Sequence, residues 1–396
     1  MVKPTPDRVS TEARRARWGV VLLFWLNGVA WSSILPRYPE LKSSLGLDDR
    51  WWGLAVAIGP AGGLVAGLVT AALIRRYSSA TVSIVSQVIG IAMLNVIGNA
   101  PHAWIFAIGV FLMAGFDSIT DIGMNAHGLR VQKLHERPIL NAFHGWWSVG
   151  AVCGGFIGSA AKQAGIPIWV QCLAATVVFS AMSLAAKVLL LPGLDHDVQA
   201  HAASKGTGRR IRPALLLRLV ALGILGATAG LLEDTGGTWG AIYLERQFDV
   251  IPFLTGMAFV ALQGLQLIGR FTGDALVKRI GPLTATVQGA VIAGLGMSAA
   301  LVWPSPATTI VGFACIGWGM ATIIPSSMHA ADELPGMRHG NGLMVVTSMM
   351  RLGFLTGPPL IGALSHHTEL RVALWVIPAF ALLILILSPS LKPVRN

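Results

Sequence analysis

The sequence predicts an all-α membrane protein, with twelve transmembrane helices in two pseudo-symmetric six-helix bundles. Three observations lead there. Only 12% of the 396 residues are charged and 54% are hydrophobic, whereas a soluble domain carries roughly 25% charged residues. The apolar residues fall into twelve runs, each close to the roughly 20 residues of helix needed to cross a hydrocarbon core about 30 Å thick. Finally, motifs in the first six runs recur in the last six at an offset of 203 residues.

The runs lie near 17–37, 51–73, 79–99, 102–125, 143–162, 167–192, 213–243, 253–277, 281–302, 306–329, 341–364 and 369–390. The first follows a basic tail; it is too long for a signal-peptide core, no cleavage site follows it, and it is expected to be a retained span. The longest joint runs from Pro192 to Pro213 and holds Asp195, Asp197, Lys205, Arg209, Arg210 and Arg212. The expected organisation is therefore a tail (1–16), a first bundle (17–192), a linker (193–212), a second bundle (213–390) and a short tail (391–396). The 46 glycines and 21 prolines suit helices that pack closely and bend.

Of the 29 Lys and Arg residues, 21 fall on the side holding the N-terminus; the other side has only Arg37, Lys42, Arg50, Lys162, Arg246 and Arg371. By the positive-inside rule both termini are cytoplasmic, and the expected location is the inner membrane, multi-pass. The net charge of +11 raises nucleic acid as a partner, but the charges sit in short loops where orientation signals belong, so no nucleic-acid partner is expected. Cys153, Cys172 and Cys315 lie in apolar runs without metal-ligand spacing, so neither a disulfide framework nor a metal site is expected. No nucleophile–base pair or phosphate-cradling loop is present; an enzyme and a cofactor are not expected.

The fourth run carries Asp117, Asp121 and Asn125 at i, i+4 and i+8, hence on one helix face. An acid at membrane depth costs at least about 2.5–3.5 kcal/mol unless it is protonated, paired or hydrated. The stripe therefore predicts a polar cavity inside the bundle. Glu233 and Asp234 in the seventh run diverge by about 100 degrees around their helix, so only one is expected to face that cavity. Glu233 is assigned to the site and Asp234 to a partner role.

Ala72-Leu-Ile-Arg75-Arg76-Tyr matches Ala275-Leu-Val-Lys278-Arg279-Ile, and Ser148 to Gly158 parallels Met350 to Gly362. A repeat of six spans in one orientation suits two lobes that rock about a midplane site. The second copy, from Gly269 to Pro282, adds Arg270 and Asp274, four apart and able to pair on one helix. The first copy, from Gly67 to Arg76, has Ala71 and Ala72 where an acid is expected, so any charge latch is expected to be stronger in the second half.

This Gly-x-x-x-Asp-x-x-x-x-Arg-x-Gly spacing resembles the cytoplasmic signature of the major facilitator superfamily, and the resemblance extends over the whole chain. Asp121-Ile-Gly-Met-Asn125, His144-Gly-Trp-Trp147-Ser-Val-Gly, Glu233 six residues before Trp239, and Gly357-Pro-Pro-Leu-Ile-Gly are similar to YbjJ-type inner-membrane proteins, distant relatives of fucose:proton symporters. The resemblance implies a monomeric secondary transporter without cofactor. It places the proton-coupling acid of the fourth span on Asp121. That branch also has an acid in span 1, where this chain offers Asn27, Trp31, Ser32 and Ser33; Glu233 and Asp234 are the acids available in its stead.

Proton coupling is thus expected at Asp121, Glu233, Asp117 and Asp234. Aromatic faces with amide partners suit a small polar or sugar-like solute: Asn27, Trp31, Asn125, His144, Trp146, Trp147, Trp239, Gln263 and Gln266 are the candidates. Arg75, Arg76, Arg270, Asp274, Lys278 and Arg279 form the candidate gating set. Arg351, within the eleventh run, calls for an anion, either a carboxylate such as Asp274 or an anionic solute. Trp51, Trp52 and Trp104 read as interfacial belt. His127 stands between a gate and an ordinary helix-end contact, and the pair His366-His367 reads as an exposed outer loop. The competing class is a proton-driven exporter of hydrophobic or cationic compounds, which four acids and 13 tryptophans would suit. Against it, the Gly-Pro-x-x-Gly arrangement common in span 5 of antiporters is missing from Gly150 to Gly158.

Overall fold

The computed structural model describes residues 10–135, 139–195, 213–335 and 341–392. The first nine residues, linker positions 196–212 with Asp197, Lys205, Arg209, Arg210 and Arg212, and the last four residues lie outside them. The helices of the first half are α1 (Thr11–Ser32), α2 (Tyr38–Ser44), α3 (Asp49–Tyr77), α4 (Ser79–Gly98), α5 (Ala103–Lys133), α6 (Leu140–Gln163) and α7 (Ile168–Ala186). The second half has α8 (Pro213–Thr238), α9 (Gly240–Phe248), α10 (Met257–Ile280), α11 (Pro282–Val302), α12 (Pro306–Met320), α13 (Ile323–Asp332), α14 (Asn341–His367), α15 (Leu370–Ala373) and α16 (Val376–Leu387). Among the described residues eleven helical stretches are long and apolar enough to cross a membrane. The remaining crossing, α6, is 24 residues long and falls short of that apolarity; it carries His144, Trp147 and Ser148, described below.

Helix ends depart from the expected runs for local reasons. Helix α1 starts at Thr11, inside the expected tail, because Ser10 caps it by accepting the Ala13 N–H at 3.1 Å. The seventh run breaks at Trp239, the tenth at Ala321–Thr322 and the twelfth at Leu374–Trp375, while Pro358 and Pro359 lie inside α14. Within the first half α1 packs on α6, and α5 on α3 and α4; the second half places α8 against α14, and α12 against α10 and α11. Gly150 and Gly353 let α6 and α14 press on α1 and α8: a Cβ there would lie 2.2 Å from the Trp25 carbonyl and 1.9 Å from that of Ala227. The halves meet along two seams, α3 with α14 and α6 with α10.

The repeat reaches the backbone. Ser78, between α3 and α4, has φ 78° and ψ 151°; Gly281, 203 residues later between α10 and α11, has φ 83° and ψ 157°. The same chain reversal is built twice, with a glycine in only one copy. This conformation costs a non-glycine residue about 1–3 kcal/mol. The Ser78 hydroxyl offsets part of it by accepting the Thr81 N–H at 3.3 Å, a cap whose replacement by glycine costs only a few tenths of a kcal/mol. Ser78→Gly is therefore expected to stabilise the fold by about 1 kcal/mol after glycine's entropic cost, raising the Tm in detergent by roughly a degree or two. A lower Tm would mean that the cap outweighs the strain.

Candidate functional site

Three consecutive polar positions on one face of α6 organise the interior. His144, Trp147 and Ser148 stand at i, i+3 and i+4. The Trp147 indole N–H donates to Asn27 Oδ1 at 2.7 Å, and the Asn27 amide donates to Asp117 at 2.7 Å, so α6, α1 and α5 are tied by one chain of bonds. One turn further along α5, the Asn125 amide donates to Asp121 at 2.9 Å, and His144 Nε2 lies 3.1 Å from Asn125 Oδ1. An amide oxygen only accepts, so His144 carries its proton on Nε2 in this contact. Ser148 faces the other half: Arg270 of α10 donates to its hydroxyl at 2.9 Å and pairs with Glu233 of α8 at 3.5 Å.

Arg351 of α14 completes the wall. A Cβ on Gly67 of α3 would lie 3.8 Å from its guanidinium, and its charge acts on both Asp117 and Asp121. Asp234 accepts from the Thr238 hydroxyl at 2.9 Å and lies near Tyr38 of the first half. Asp117 and Asp121 of the first half thus feel the guanidinium of Arg351 from the second, while Glu233 holds Arg270, which reaches back to α6. Of the paired acids of α8, Glu233 has the cationic partner and Asp234 a neutral one.

Beyond this region the halves are sealed at the end of the bundle away from the start of α1, termed here the far face. Asp49 of α3 receives Arg246 of α9 through both oxygens, at 2.6 and 2.7 Å; Lys42 approaches at 3.0 Å and the Ser365 hydroxyl of α14 donates at 2.5 Å. Lys162 of α6 pairs with Glu245 of α9 and stands 3.8 Å from Glu40. His366 lies 3.4 Å from Asp48. Backbone meets backbone between these pairs, since a Cβ on Gly53 would lie 2.4 Å from the Pro358 carbonyl and one on Gly362 2.3 Å from that of Asp49. At the near face, no ion pair between described residues joins the halves.

Several expected positions fall elsewhere. Trp239 is fully buried in the seal, its ring 3.3 Å from a Cβ placed on Gly362; Gln263 and Gln266 are buried to 3% and 0% exposure and so do not line an open chamber in this conformation. Arg270 pairs with Glu233, not Asp274, because it points to the seam between halves, while Asp274 is exposed where water screens the pair. Asp274, Lys278, Arg279, Arg75 and Arg76 are all exposed, Arg76 resting on the Tyr77 ring at 5.3 Å. Among the described residues a near-face charge network stands in the first half. His127 accepts the Leu191 N–H on Nε2 at 3.1 Å, so Nδ1 donates to the Ser79 hydroxyl, which donates to Asp195; Arg130 pairs with Asp195 at 3.0 Å. The linker supplies the acid that the first motif lacks. Trp52 is no belt residue: it is buried between Tyr38 and Phe106, whereas Trp51 and Trp104 are exposed.

Sequence reading missed the seal. Its signal was the scarcity of charge on that side: all six basic residues there are engaged, Arg37 with Glu40, Lys42 and Arg246 with Asp49, Lys162 with Glu245, Arg371 with the Leu301 carbonyl and Arg50 over the Trp51 ring.

A helical membrane protein with polar groups from two like halves meeting beneath an ionic seal at one face is a transporter in class. The chain belongs to the Major Facilitator Superfamily, whose profile matches residues 20–334 and again 233–396. It is 26% identical over 379 residues, 95% of this chain and 94% of the relative, to an uncharacterized MFS-type transporter of Yersinia pestis. A variant of the nucleoside transporter NupG shares the fold with a TM-score of 0.79 at 12% identity, covering 96% of this chain and all of that one. The transporter FucP in its outward conformation gives a TM-score of 0.62 at 16% identity, with 95% and 98% covered. The family and its relatives are transporters, not enzymes.

Proposed function

We propose that the protein carries a small polar solute across the inner membrane by alternating access, in symport with protons, as a monomer with both termini cytoplasmic. The observation that carries this reading is the α6 face: His144, Trp147 and Ser148 connect Asn125–Asp121, Asn27–Asp117 and Arg270–Glu233, so solute contacts, acids and both halves share one helix. The first bundle (17–192) and the second (213–390) rock about that region, and the arrangement described above is the state closed to the far, external face. Indole, imidazole and amide groups beside carboxylates suit a solute rich in hydroxyl or ring-nitrogen groups. The nucleoside transported by NupG is one such solute. Proton coupling requires that the two conformations bind the proton differently, and the acids at the meeting of the halves are the groups whose surroundings change most in rocking.

The test is reconstitution of the full chain in proteoliposomes with an imposed inward proton gradient and a panel of nucleosides, hexoses and deoxyhexoses, with lumenal pH followed by a trapped dye. One solute class is expected to accumulate and to carry protons inward. A second reading, export of cations against protons, is favoured by the surplus of four acids over Arg270 and Arg351. If no polar solute moves with the gradient and organic cations move against it, symport is wrong and this second reading holds.

A further inference from the structure

Beside the chamber, inside the first half, lies a small cavity between α1, α4 and α5. Its polar lining comes from Asn27, Trp31, Ser86, Gln87, Asp117 and Thr120, and its volume is about 20 Å³. About 10–15 Å³ holds one water-sized particle, so the cavity has room for a single small occupant.

The hydrogen bonds around it are short of donors. Gln87 is 3% exposed; its amide NH2 donates to the Leu23 carbonyl at 3.0 Å, which fixes the flip and leaves Oε1 buried without a partner. The hydroxyls of Ser86 and Thr120 donate to the carbonyls of Val82 and Phe116 at 2.6 and 2.8 Å, yet their oxygens lie 2.8 Å apart. Two hydroxyl hydrogens cannot serve three contacts, so lone pairs remain unmatched. Asn27 gives one N–H to Asp117 and its oxygen to Trp147. Besides the second N–H of Asn27 and of Gln87, the indole of Trp31 is the other donor in the lining. Around one small space there are thus a carboxylate, an orphaned amide oxygen and two hydroxyl oxygens. A buried polar atom left unpaired costs about 1–3 kcal/mol, and a cation satisfies several such atoms at once.

We infer that this cavity is a binding site for a small monovalent cation, Na+, held by oxygens of Asp117, Gln87, Ser86 and Thr120. Hard cations take oxygen ligands, and with Arg351 set against Asp121 the carboxylate of Asp117 leaves one net negative charge, which matches a single positive charge. A divalent ion would be left undercompensated: Ca2+ sites gather several carboxylates, and Mg2+ keeps waters that the cavity has no room for. The site touches the chamber through Asp117 and Asn27, so an ion there holds the Asn27 side chain in place for Trp147. Sodium occupancy and solute binding are therefore coupled with positive sign. This goes beyond the proposed proton symport: it gives Asp117 to Na+ and leaves Asp121 for the proton.

The test is equilibrium binding to the purified full chain, with neither solute nor gradient, so its failure leaves the transport reading standing. NaCl is titrated against choline chloride, and KCl likewise, at constant ionic strength and fixed pH, with tryptophan fluorescence, thermal unfolding and radioactive sodium binding as readouts. A saturable Na+ effect absent with choline and K+ is expected. Asp117→Asn should abolish it, and Gln87→Ala and the isosteric Thr120→Val should each weaken it about tenfold, the scale of one neutral ligand lost (about 1.4 kcal/mol). Variants are compared only where size-exclusion profiles match the parent, and Thr120→Val keeps the test open should Gln87→Ala fail to fold. Equal behaviour in Na+ and choline would show a water-filled or proton-only cavity and overturn the inference. So would a Na+ response that survives Asp117→Asn.

Discussion

Asp49→Asn is expected to unlatch the far face and shift the protein toward the conformation open there. Asp49 is 6% exposed and holds four contacts at once, two from Arg246 and one each from Lys42 and Ser365. Removing the anion leaves Arg246 and Lys42 facing each other with no counter-charge. Loss of one partner from a buried pair costs about 3–5 kcal/mol. The Arg246 side chain is 46% exposed, so screening reduces this to about 2 kcal/mol, roughly thirtyfold in the ratio of the two conformations. Lys162–Glu245 and the glycine contacts of Gly53 and Gly362 keep the seal partly in place. The measurement is a distance distribution between spin labels at the exposed positions Arg50 and His367, one on each half. A longer distance should appear in Asp49→Asn and in Arg246→Gln, and the double variant should add little to either, since both remove the same interaction. Unchanged distributions in both would mean that Lys162–Glu245 and the backbone packing close this face without Asp49.

That seal illustrates what a sequence conceals. Span positions were legible because about 20 apolar residues have no other common explanation, and the duplication was legible because Arg75-Arg76 and Lys278-Arg279 recur in register, a register the twin reversals at Ser78 and Gly281 repeat in the backbone. Nothing in the sequence singles out Asp49. Two of its partners, Arg246 and Ser365, lie 197 and 316 positions away, a separation that no helical periodicity encodes.

Around the α6 face the division is similar. The spacing of Asp117, Asp121 and Asn125 predicted one polar face, and all three are only partly covered on α5. It could not predict which neighbours answer them. Asn27 and Trp147 reach Asp117 across 90 and 120 positions of sequence in two steps. The i, i+4 rule favoured Arg270 with Asp274, and lost because it ranks pairs on an isolated helix; on α10 the seam between halves offers Arg270 a less hydrated acid and a hydroxyl. The linker's Asp195 was read as a loop charge, yet it is 8% exposed and completes the His127–Ser79–Arg130 network.

The largest effect is expected at Asp121, on the symport reading. Its bond is to Asn125 of its own helix, the Arg351 charge opposite comes from the other half, and no described cation stands within ion-pair distance of its carboxylate. Such a group has one partner that travels with it and another that is lost when the halves separate. Glu233, by contrast, keeps Arg270 within its own half. The proton affinity of Asp121 therefore follows the conformation, and that difference couples a gradient to rocking. Asp121→Asn retains the hydrogen bond to Asn125 through its carbonyl oxygen and removes only the titration. Gradient-driven accumulation should fall to background, a loss of about a hundredfold or more if the proton supplies at least 2.7 kcal/mol, whereas exchange of labelled for unlabelled solute across the same vesicles should persist. Accumulation by Asp121→Asn at the parent's level would move the coupling to Glu233, Asp234 or Asp117. Loss of both accumulation and exchange would assign Asp121 to solute binding instead.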